Sequence, residues 1–321
     1  MNSESPFSRQ KQFELCDEIL ARHYHSLDHG KSILYSGTNS GFFSNCSKSL
    51  WCLIELANIG IFPRAISFSG GYQNFKDIDM SADIYPNLFA TDNFLADYIR
   101  TTLACHHRLR CPDHHGVYAI YPYQQLNLFI QAYFRPSERI KSLIAEITEK
   151  YGFDYSNTVA ICYRGTDKGT EVRLADPEKY VIEALRLKTE GMKVLVQTDQ
   201  EQVKRHLLES IDGAFSLEEM PTTTGNTVLH SLDQDSLGMG KLAFGERVLV
   251  TAYIISKCRY IVNHSGNMAS WICLLRGSAN GVSQFNKDGC LVDSYQITKA
   301  YLKNFYRQFR RYVRDDVSCY T

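Results

Sequence analysis

Apolar residues along this chain fall into two kinds of block, which predict strands and helices in turn. Short apolar runs, such as residues 158–163 and 193–197, have the length of buried strands and are bounded by turn residues. Longer stretches with an apolar residue at every third or fourth position, such as 136–152 and 245–257, have the period of amphipathic helices. Strands that alternate with helices are typical of an α/β protein with a doubly wound parallel sheet.

The same pattern divides the chain into two α/β series, because a second series restarts between residues 134 and 157. We predict an N-terminal unit at 1–140, a second unit at 141–296, and a terminal helix within 297–321 that packs back on the first unit. The further predicted strands are 31–36, 65–69, 259–263 and 279–283, and the further predicted helices are 8–24, 49–63, 177–190, 200–209 and 266–276.

Composition places the chain among folded globular proteins. Of its 321 residues, 44% are hydrophobic and 22% are charged, which excludes wholesale disorder. Lys and Arg number 35, as do Asp and Glu, so the formal net charge is zero and nucleic acid is a poor candidate for the main partner. No run approaches the roughly 18 apolar residues of a membrane helix. The N-terminus lacks an apolar leader and the cysteines are scattered, so we expect a reduced, cytoplasmic protein.

The sequence ICYRGTDKGTE at residues 161–171 gathers the most charged chemistry. It follows a predicted buried strand, so it lies at the carboxyl end of that strand, where α/β sheets have their ligand crevices. Arg164 offers a planar fork for phosphate, Lys168 adds a compact positive charge, and Glu171 can take a proton from a hydroxyl. The alternative is a solvated turn with surface ion pairs.

Two other loops join a predicted strand to a predicted helix. In NHSGNMASW, Ser265 and Asn267 stand where the free N–H groups of a helix N-terminus can hold phosphate, although ordinary helix capping would use the same residues. In SGTNSGFFSN, Gly37 and Gly41 allow an anion to approach the backbone, and a plain tight turn is an equal alternative. This loop lacks both the glycine spacing of a dinucleotide fingerprint and the lysine of a P-loop.

Two weaker signals stay open. Asp199 closes a predicted strand, where it can bind a ribose or cap the next helix, and the cap is favoured. Residues 105–115, CHHRLRCPDHH, are rich in metal-ligand types, but their spacing matches no usual closed zinc site. Exposed His and Arg in an acceptor groove, or a plain loop, fit this segment better.

The terminal helix is predicted to be amphipathic and basic. The simpler interpretation is a helix packed on the core with a solvated basic back; the alternative is contact with anionic lipid. Its apolar face comprises Ile297, Tyr301, Phe305, Phe309 and Tyr312, and its basic residues are Lys299, Lys303, Arg307, Arg310, Arg311 and Arg314.

Together these motifs resemble the α1,6-fucosyltransferase family, which includes the animal core-fucosylating and the bacterial nodulation-factor enzymes. The run from Arg164 to Glu171 stands in place of that family's Arg-Arg-Thr-Asp-Lys…Gly-Thr-Glu. The helix 136–152, the Thr-Asp pair after strand 193–197, and GERVLVTAYIISKCRYIVNHSGN are similar to the family as well. The resemblance covers roughly residues 133–277, with a fainter echo at 33–60.

The resemblance implies a GT-B architecture, in which two Rossmann-like domains with parallel sheets face a central cleft. It implies an inverting transfer of a sugar from a nucleotide donor to a glycan hydroxyl, with no metal and no cofactor besides the donor substrate. Arg164 would grip the β-phosphate and stabilise the leaving diphosphate, and Glu171, assisted by Lys168, would be the base. The other donor-binding residues it implies are Ser265, Gly266, Asn267, His264, Gly41, Ser44, Asn45 and Asp199.

Two departures from the family pattern leave the donor open: Gly165 stands where the family has a second arginine, and Thr251 stands where it has an acidic residue that reads guanine. One residue is also missing between Lys168 and Gly169, a difference in spacing that would displace Glu171. GDP-fucose is the first expectation, and another GDP- or UDP-sugar is the alternative. A nucleotide- or glycan-binding protein without catalysis on the same scaffold is the second alternative.

Overall fold

The computed structural model describes residues 9–28, 32–37, 40–77, 79–91, 109–166 and 168–318. Its helices are α1 (Arg9–Arg22), α2 (Phe42–Asn58), α3 (Tyr85–Leu88), α4 (Tyr123–Tyr133), α5 (Glu138–Tyr151), α6 (Pro177–Leu187), α7 (Glu201–Ser210), α8 (Gln234–Leu237), α9 (Lys241–Lys257), α10 (Asn267–Arg276) and α11 (Ser294–Ser318). Its strands are β1 (His25–Asp28), β2 (Ser32–Tyr35), β3 (Ala65–Ser67), β4 (Thr158–Tyr163), β5 (Lys193–Thr198), β6 (Ala214–Phe215), β7 (Tyr260–His264) and β8 (Val282–Phe285). Short 3₁₀ turns lie at Gln73–Phe75, Tyr118–Ile120, Tyr155–Asn157, Lys168–Thr170 and Leu229–Ser231.

The C-terminal sheet has five parallel strands in the order β6-β5-β4-β7-β8. Numbered from β4, this is the order 3-2-1-4-5 of a doubly wound sheet, with its crossover between β4 and β7. Every residue of β4 is buried, because helices cover both faces of such a sheet. The predicted α/β class and Rossmann-like order are therefore confirmed for this half.

The N-terminal sheet is smaller. Its three described strands lie in the order β1-β2-β3, with β2 and β3 parallel and β1 antiparallel to β2. The sequence pattern predicted β2 and β3 but not β1. Helix α2 follows β2 and begins at Phe42, earlier than its apolar spacing indicated, because Phe42 and Phe43 point into the core rather than a loop.

One apolar core runs through both halves. Trp271 of α10 is fully buried, and its ring stacks on Phe43 of α2 and meets Phe134, just after α4, at a centroid distance of 4.9 Å. Its indole Nε1 donates to Ser47 Oγ of α2 at 2.9 Å. The predicted unit boundary between residues 140 and 141 falls within α5, and the division of the chain into units stays a prediction.

Most predicted C-terminal elements form at or near their expected positions. Helix α5 is capped as its sequence indicates: Ser137 Oγ accepts from the Ile140 N–H, and Gly152 ends the helix in the left-handed conformation. No disulfide bond forms among the cysteines of the described part of the chain. None of the described helices is long and apolar enough to cross a membrane.

Candidate functional site

The loop after β4 is fastened by Asp199, which follows β5. Its carboxylate accepts hydrogen bonds from the Gly165 N–H at 2.9 Å and from the Thr166 hydroxyl at 2.7 Å, and it lies 3.4 Å from Arg164 Nε. Helix α7 instead has Gln200 as its N-cap residue, without a side-chain cap. The helix-capping interpretation of Asp199 is therefore wrong: the buried carboxylate faces the neighbouring strand end and orients Arg164 there.

Gly165 is a position where a side chain would collide. A Cβ would lie 2.0 Å from Gln200 Oε1 and 2.7 Å from Tyr163 Cε1. Gln200 is held in place because its Nε2 donates to the Gly225 carbonyl at 3.0 Å. An arginine at this position would require both neighbours to move. The packing around Gly165 therefore excludes the second arginine of the family pattern.

Lys168 and Glu171 form a direct ion pair at the start of the next turn. The Lys168 side chain is only 5% exposed, whereas Glu171 is 45% exposed, so the carboxylate forms the outer face of the pair. The sequence proposal that these two residues act together thus has a geometric basis. Asp167 of the same motif lies outside the described residues.

Gly266 leaves room for Lys168. A Cβ on Gly266 would lie 2.8 Å from Lys168 Cε and 3.3 Å from its Nζ, so any larger residue would displace the lysine. Gly266 immediately precedes α10, which begins at Asn267. The lysine ammonium and the N-terminus of a 10-residue helix therefore lie side by side, and both attract anions.

His264 and Ser265 support this arrangement from β7. His264 Nε2 bonds to the Arg164 carbonyl at 3.0 Å, and its Nδ1 bonds to the Ser265 carbonyl at 2.6 Å. Burial lowers the pKa of His264, whereas its contacts with the carbonyls of Arg164 and Ser265 act in the opposite direction. The N–H of the fully buried Ser265 donates to the Phe285 carbonyl at 2.8 Å. In this conformation the two residues brace the loops; their predicted direct role in donor binding stays a prediction.

Residues predicted in the first loop lie on α2 and the turn before it. Asn45 is buried, and its Oδ1 accepts from the Tyr35 hydroxyl at 2.7 Å. Ser44 is half-buried on the same helix. Asn267 Oδ1 accepts from Ser47 Oγ at 2.8 Å and so joins α10 to α2. Of the predicted set, Gly41, Arg164 and Asp199 come together around one cavity.

That cavity has a volume of about 70 Å³ and lies between the two halves at the carboxyl ends of β4 and β5. Most of its wall is apolar or aromatic. Gln197, which is 5% exposed, lines it, and its Oε1 is a buried acceptor without a hydrogen-bond partner among the described residues. The lining residues are Gly41, Phe42, Phe43, Phe75, Cys162, Tyr163, Arg164, Gln197, Thr198, Asp199, Met220, Leu229, His230, Phe244, Val248 and Met268.

The segment before α4, for which the sequence left an acceptor groove or a plain loop open, closes the site from the N-terminal side. The Gly266 N–H donates to the His114 carbonyl and to the Tyr118 hydroxyl, both at 2.9 Å. Gln284 on β8 bonds to the Tyr118 N–H and the Gly116 carbonyl. These long-range contacts leave no local signal beyond the clustering of His and Tyr in this segment.

Two adjacent histidines of this segment face the ion pair. His115 Nε2 lies 3.9 Å from Glu171 Oε2, and the His114 and His115 rings are 4.1 Å apart. Burial lowers the pKa of His114 to about 4. Burial and then the Lys168 ammonium lower the pKa of His115, against the opposite influence of Glu171. Both rings are therefore neutral at pH 7.

The zinc interpretation of residues 105–115 gains no support from the described part of that segment. Residues 105–108 lie outside the described residues, and Cys111 Sγ donates to the Trp51 carbonyl at 3.7 Å. Within the described ranges, no three His, Cys, Asp or Glu side chains gather as a metal site would require. The expectation of metal-independent chemistry stays a prediction.

The fold and the site together describe an α/β protein with a crevice at the carboxyl edge of a parallel sheet, where Arg164 is paired with Asp199 and Lys168 with Glu171. Among solved structures, the chain is similar to the NodZ alpha-1,6-fucosyltransferase co-crystallised with GDP, with 14% identity, coverage of 82% of this chain and 97% of that one, and a TM-score of 0.41. The same enzyme soaked with GDP-fucose has 13% identity to this chain and a TM-score of 0.43, and the match covers 82% of this chain and 95% of that one. Fucosyltransferase NodZ from Bradyrhizobium has 12% identity and a TM-score of 0.45, and the match covers 82% of this chain and 97% of that one.

These enzymes belong to the family that the sequence motifs resemble. At this level of identity and superposition, the similarity gives no residue-by-residue correspondence. No protein-family model and no curated protein matches the chain.

Proposed function

We propose that this protein is an inverting, metal-independent glycosyltransferase of GT-B architecture that uses a nucleotide-sugar donor, with GDP-fucose as the first choice. The observation that carries the proposal is the placement of Arg164 and Lys168 at the carboxyl ends of parallel strands, beside the N-terminus of α10. Negative charge grows on the departing diphosphate during such a transfer, and cations fixed at that point stabilise it. The acceptor is a glycan hydroxyl, free or lipid-linked.

The side chains divide the reaction between them. Asp199 fixes the orientation of the Arg164 fork, which binds the β-phosphate in two places. Lys168 and the N–H groups at the start of α10 meet the same diphosphate from the other side. The exposed Glu171 and the facing His115 form the pair that receives the proton of the acceptor hydroxyl.

The cavity at the strand ends can enclose only part of the donor. Its volume of about 70 Å³ accommodates a few water molecules, so the rest of a nucleotide sugar would lie outside the space between the strand ends and the elements facing them, namely the start of α2 and residues 229–230.

A panel of nucleotides separates the candidate donors from one another. GDP, UDP and CMP are each added to the protein, and the shift in Tm is measured; the first-choice donor requires the largest shift with GDP. The largest shift with UDP favours a UDP-sugar instead, consistent with Thr251 in place of an acidic residue. The matching sugar donor is then tested for nucleotide release with oligosaccharide acceptors. A shift in Tm without any nucleotide release identifies a binding protein. Turnover that is lost in excess chelator and restored by Mn²⁺ or Mg²⁺ contradicts the metal-independent part.

The proposal extends to peripheral contact with anionic membrane through α11. None of its described side chains at 294–306 is buried, Ile297 is half-buried, and five large apolar or aromatic ones are exposed: Tyr295, Tyr301, Leu302, Phe305 and Tyr306. Six basic and no acidic residues lie between Asp293 and Asp315. Exposed aromatic residues combined with positive charge suit a lipid surface with negative headgroups, whereas two copies of this helix would repel each other.

The helix is attached near the crevice, since the Tyr301 hydroxyl donates to the Ala119 carbonyl at 3.0 Å. The side chains of Phe309, Tyr312 and the four arginines at 307–314 lie outside those that the structure describes. Flotation with phosphatidylcholine vesicles, with and without phosphatidylserine, tests this contact. Binding that needs phosphatidylserine and is lost in Leu302→Ser/Phe305→Ser supports it; no binding, or dimerisation in solution, contradicts it.

A further inference from the structure

We propose that His115 is the proton acceptor for the attacking hydroxyl and that Glu171 is the counter-ion of the imidazolium that forms. The inference rests on the proposed function and assigns roles within the pair that faces Lys168. His115 belongs to the N-terminal half, so the base and the diphosphate-binding cations come from opposite sides of the crevice. The sequence motif alone assigned the base to Glu171.

The ion pair limits Glu171 as a base. Its carboxylate is bound directly to the Lys168 ammonium, which is buried and has no other hydrogen bond among the described residues. A proton placed on this carboxylate would break that pair and leave the ammonium without a counter-charge in a buried place, which is costly.

His115 meets the requirements of a base. Its Nδ1 is enclosed and has no hydrogen-bond partner among the described residues, so the accessible side of the ring is Nε2. The ring side chain is 27% exposed, and Nε2 is 3.9 Å from Glu171 Oε2, too far for a hydrogen bond. With the ring proton on Nδ1, the Nε2 lone pair is free to accept.

The charges around His115 favour the neutral ring before the reaction and stabilise the protonated ring after it. Burial, Lys168 and the more distant Lys287 lower its pKa, whereas Glu171 and Asp113 act in the opposite direction. The neighbouring His114, whose ring is tilted by 45° against that of His115, is neutral at pH 7 and adds no charge. Once a proton arrives, the carboxylate 3.9 Å away stabilises the imidazolium.

The step balances as follows. The acceptor oxygen forms a bond to the anomeric carbon while the bond from that carbon to the β-phosphate oxygen breaks. The bonding electrons leave with the nucleoside diphosphate, which Arg164 and Lys168 stabilise. The hydroxyl proton moves to His115 Nε2 and is later released to solvent, which restores the neutral ring.

The test uses the full-length protein with GDP-fucose, or with the donor that the nucleotide panel selects, and water as the acceptor. Nucleotide release is followed from pH 4.5 to 9 in the wild type and in His115→Gln, Glu171→Gln and His114→Gln. Nucleotide affinity and Tm are measured on the same preparations.

We expect His115→Gln to lose about two to four orders of magnitude in rate while nucleotide affinity and Tm stay close to wild type. Imidazole added to His115→Ala should restore part of the rate, which a structural role would not permit. The wild-type rate should fall as pH drops through the His115 pKa, and Glu171→Gln should move that midpoint to lower pH, because the counter-ion is gone. His114→Gln should remain within about threefold of wild type.

A near-normal rate in His115→Gln, with Glu171→Gln inactive, overturns the assignment and returns the base to Glu171. Loss of Tm and nucleotide affinity in His115→Gln, without imidazole rescue in His115→Ala, overturns it in favour of a structural role. A wild-type protein that binds no nucleotide and releases none from any donor contradicts the proposed function itself, and the base assignment falls with it.

Discussion

The C-terminal half meets the crevice with ion pairs, whereas the N-terminal half meets it with aromatic rings and imidazoles. Arg164 pairs with Asp199 and Lys168 pairs with Glu171. Across from them stand the rings of Phe42 and Phe75 and the imidazole of His115. Under the proposed function, the C-terminal half would bind the negative charge of the donor, and the N-terminal half would shape the space and accept the proton.

The largest expected loss of turnover comes from removing a charge in the C-terminal half. Replacing Arg164 with Ala should lower turnover by about three orders of magnitude, because Lys168 would be left as the one proposed fixed cation at the growing charge. GDP affinity should fall by about ten- to a hundredfold, since a charge-assisted contact is lost. Initial rates and calorimetric titration of GDP measure both.

Arg173, an exposed arginine in the same loop, is the matched control for Arg164. Its Ala variant should keep wild-type turnover, and Arg164→Lys should recover only part of the loss, because lysine lacks the two-pronged fork. Wild-type turnover in Arg164→Ala would show that the charged half does not hold the donor.

The next effect concerns the space that Gly266 leaves for Lys168. Gly266→Ala should reduce turnover by about a hundredfold, because the added Cβ would lie 2.8 Å from Lys168 Cε and displace the ammonium. Gly169→Ala is the matched control, since its Cβ would meet only Leu174 at 3.7 Å. Equal rates for the two variants would mean that the position of Lys168 is unimportant.

Replacing Asp199 should have a smaller effect, mainly on stability. Asp199→Asn should lower the free energy of unfolding by about 1 to 3 kcal/mol, because a buried carboxylate that accepts two hydrogen bonds is replaced by an amide with one acceptor oxygen. Urea unfolding measures this change. Asp212→Asn, at an exposed position, should change the free energy of unfolding little. Equal losses of stability in both variants would show that Asp199 does not hold the loop after β4 in place.

The smallest effect is a shift in pH dependence that joins the two halves. Lys168 lowers the pKa of His115, so Lys168→Met should raise that pKa and move the acid midpoint of the nucleotide-release rate to higher pH. Titration of the His115 ring by NMR provides a second measurement that does not need turnover. An unmoved or lowered midpoint would show that the two residues are not electrostatically coupled.

The two halves also differ in how well their sequences predict them. The C-terminal strands and the loop from Arg164 to Glu171 follow from local pattern, because a buried strand followed by a polar loop places the loop at the sheet edge. The contribution of the N-terminal half depends on contacts between distant parts of the chain. His115 approaches Glu171, and Tyr118 approaches Gly266, only after the chain has folded.

Asp199 illustrates the same limit. A carboxylate before a helix is a plausible cap by local rules, yet its partners lie on the adjacent strand end, Gly165 and Thr166. Gly165 itself looked like a lost arginine in the sequence, and only the packing of Gln200 shows why a side chain is excluded there.

The central claim is that a nucleoside diphosphate binds where the loops after β4 and β7 meet. Amide hydrogen exchange, with and without saturating GDP, locates such binding directly. The account predicts slower exchange in residues 162–171 and 263–269, and a loss of that protection in Arg164→Ala. Unchanged exchange in both segments, or protection confined to another part of the molecule, would contradict it.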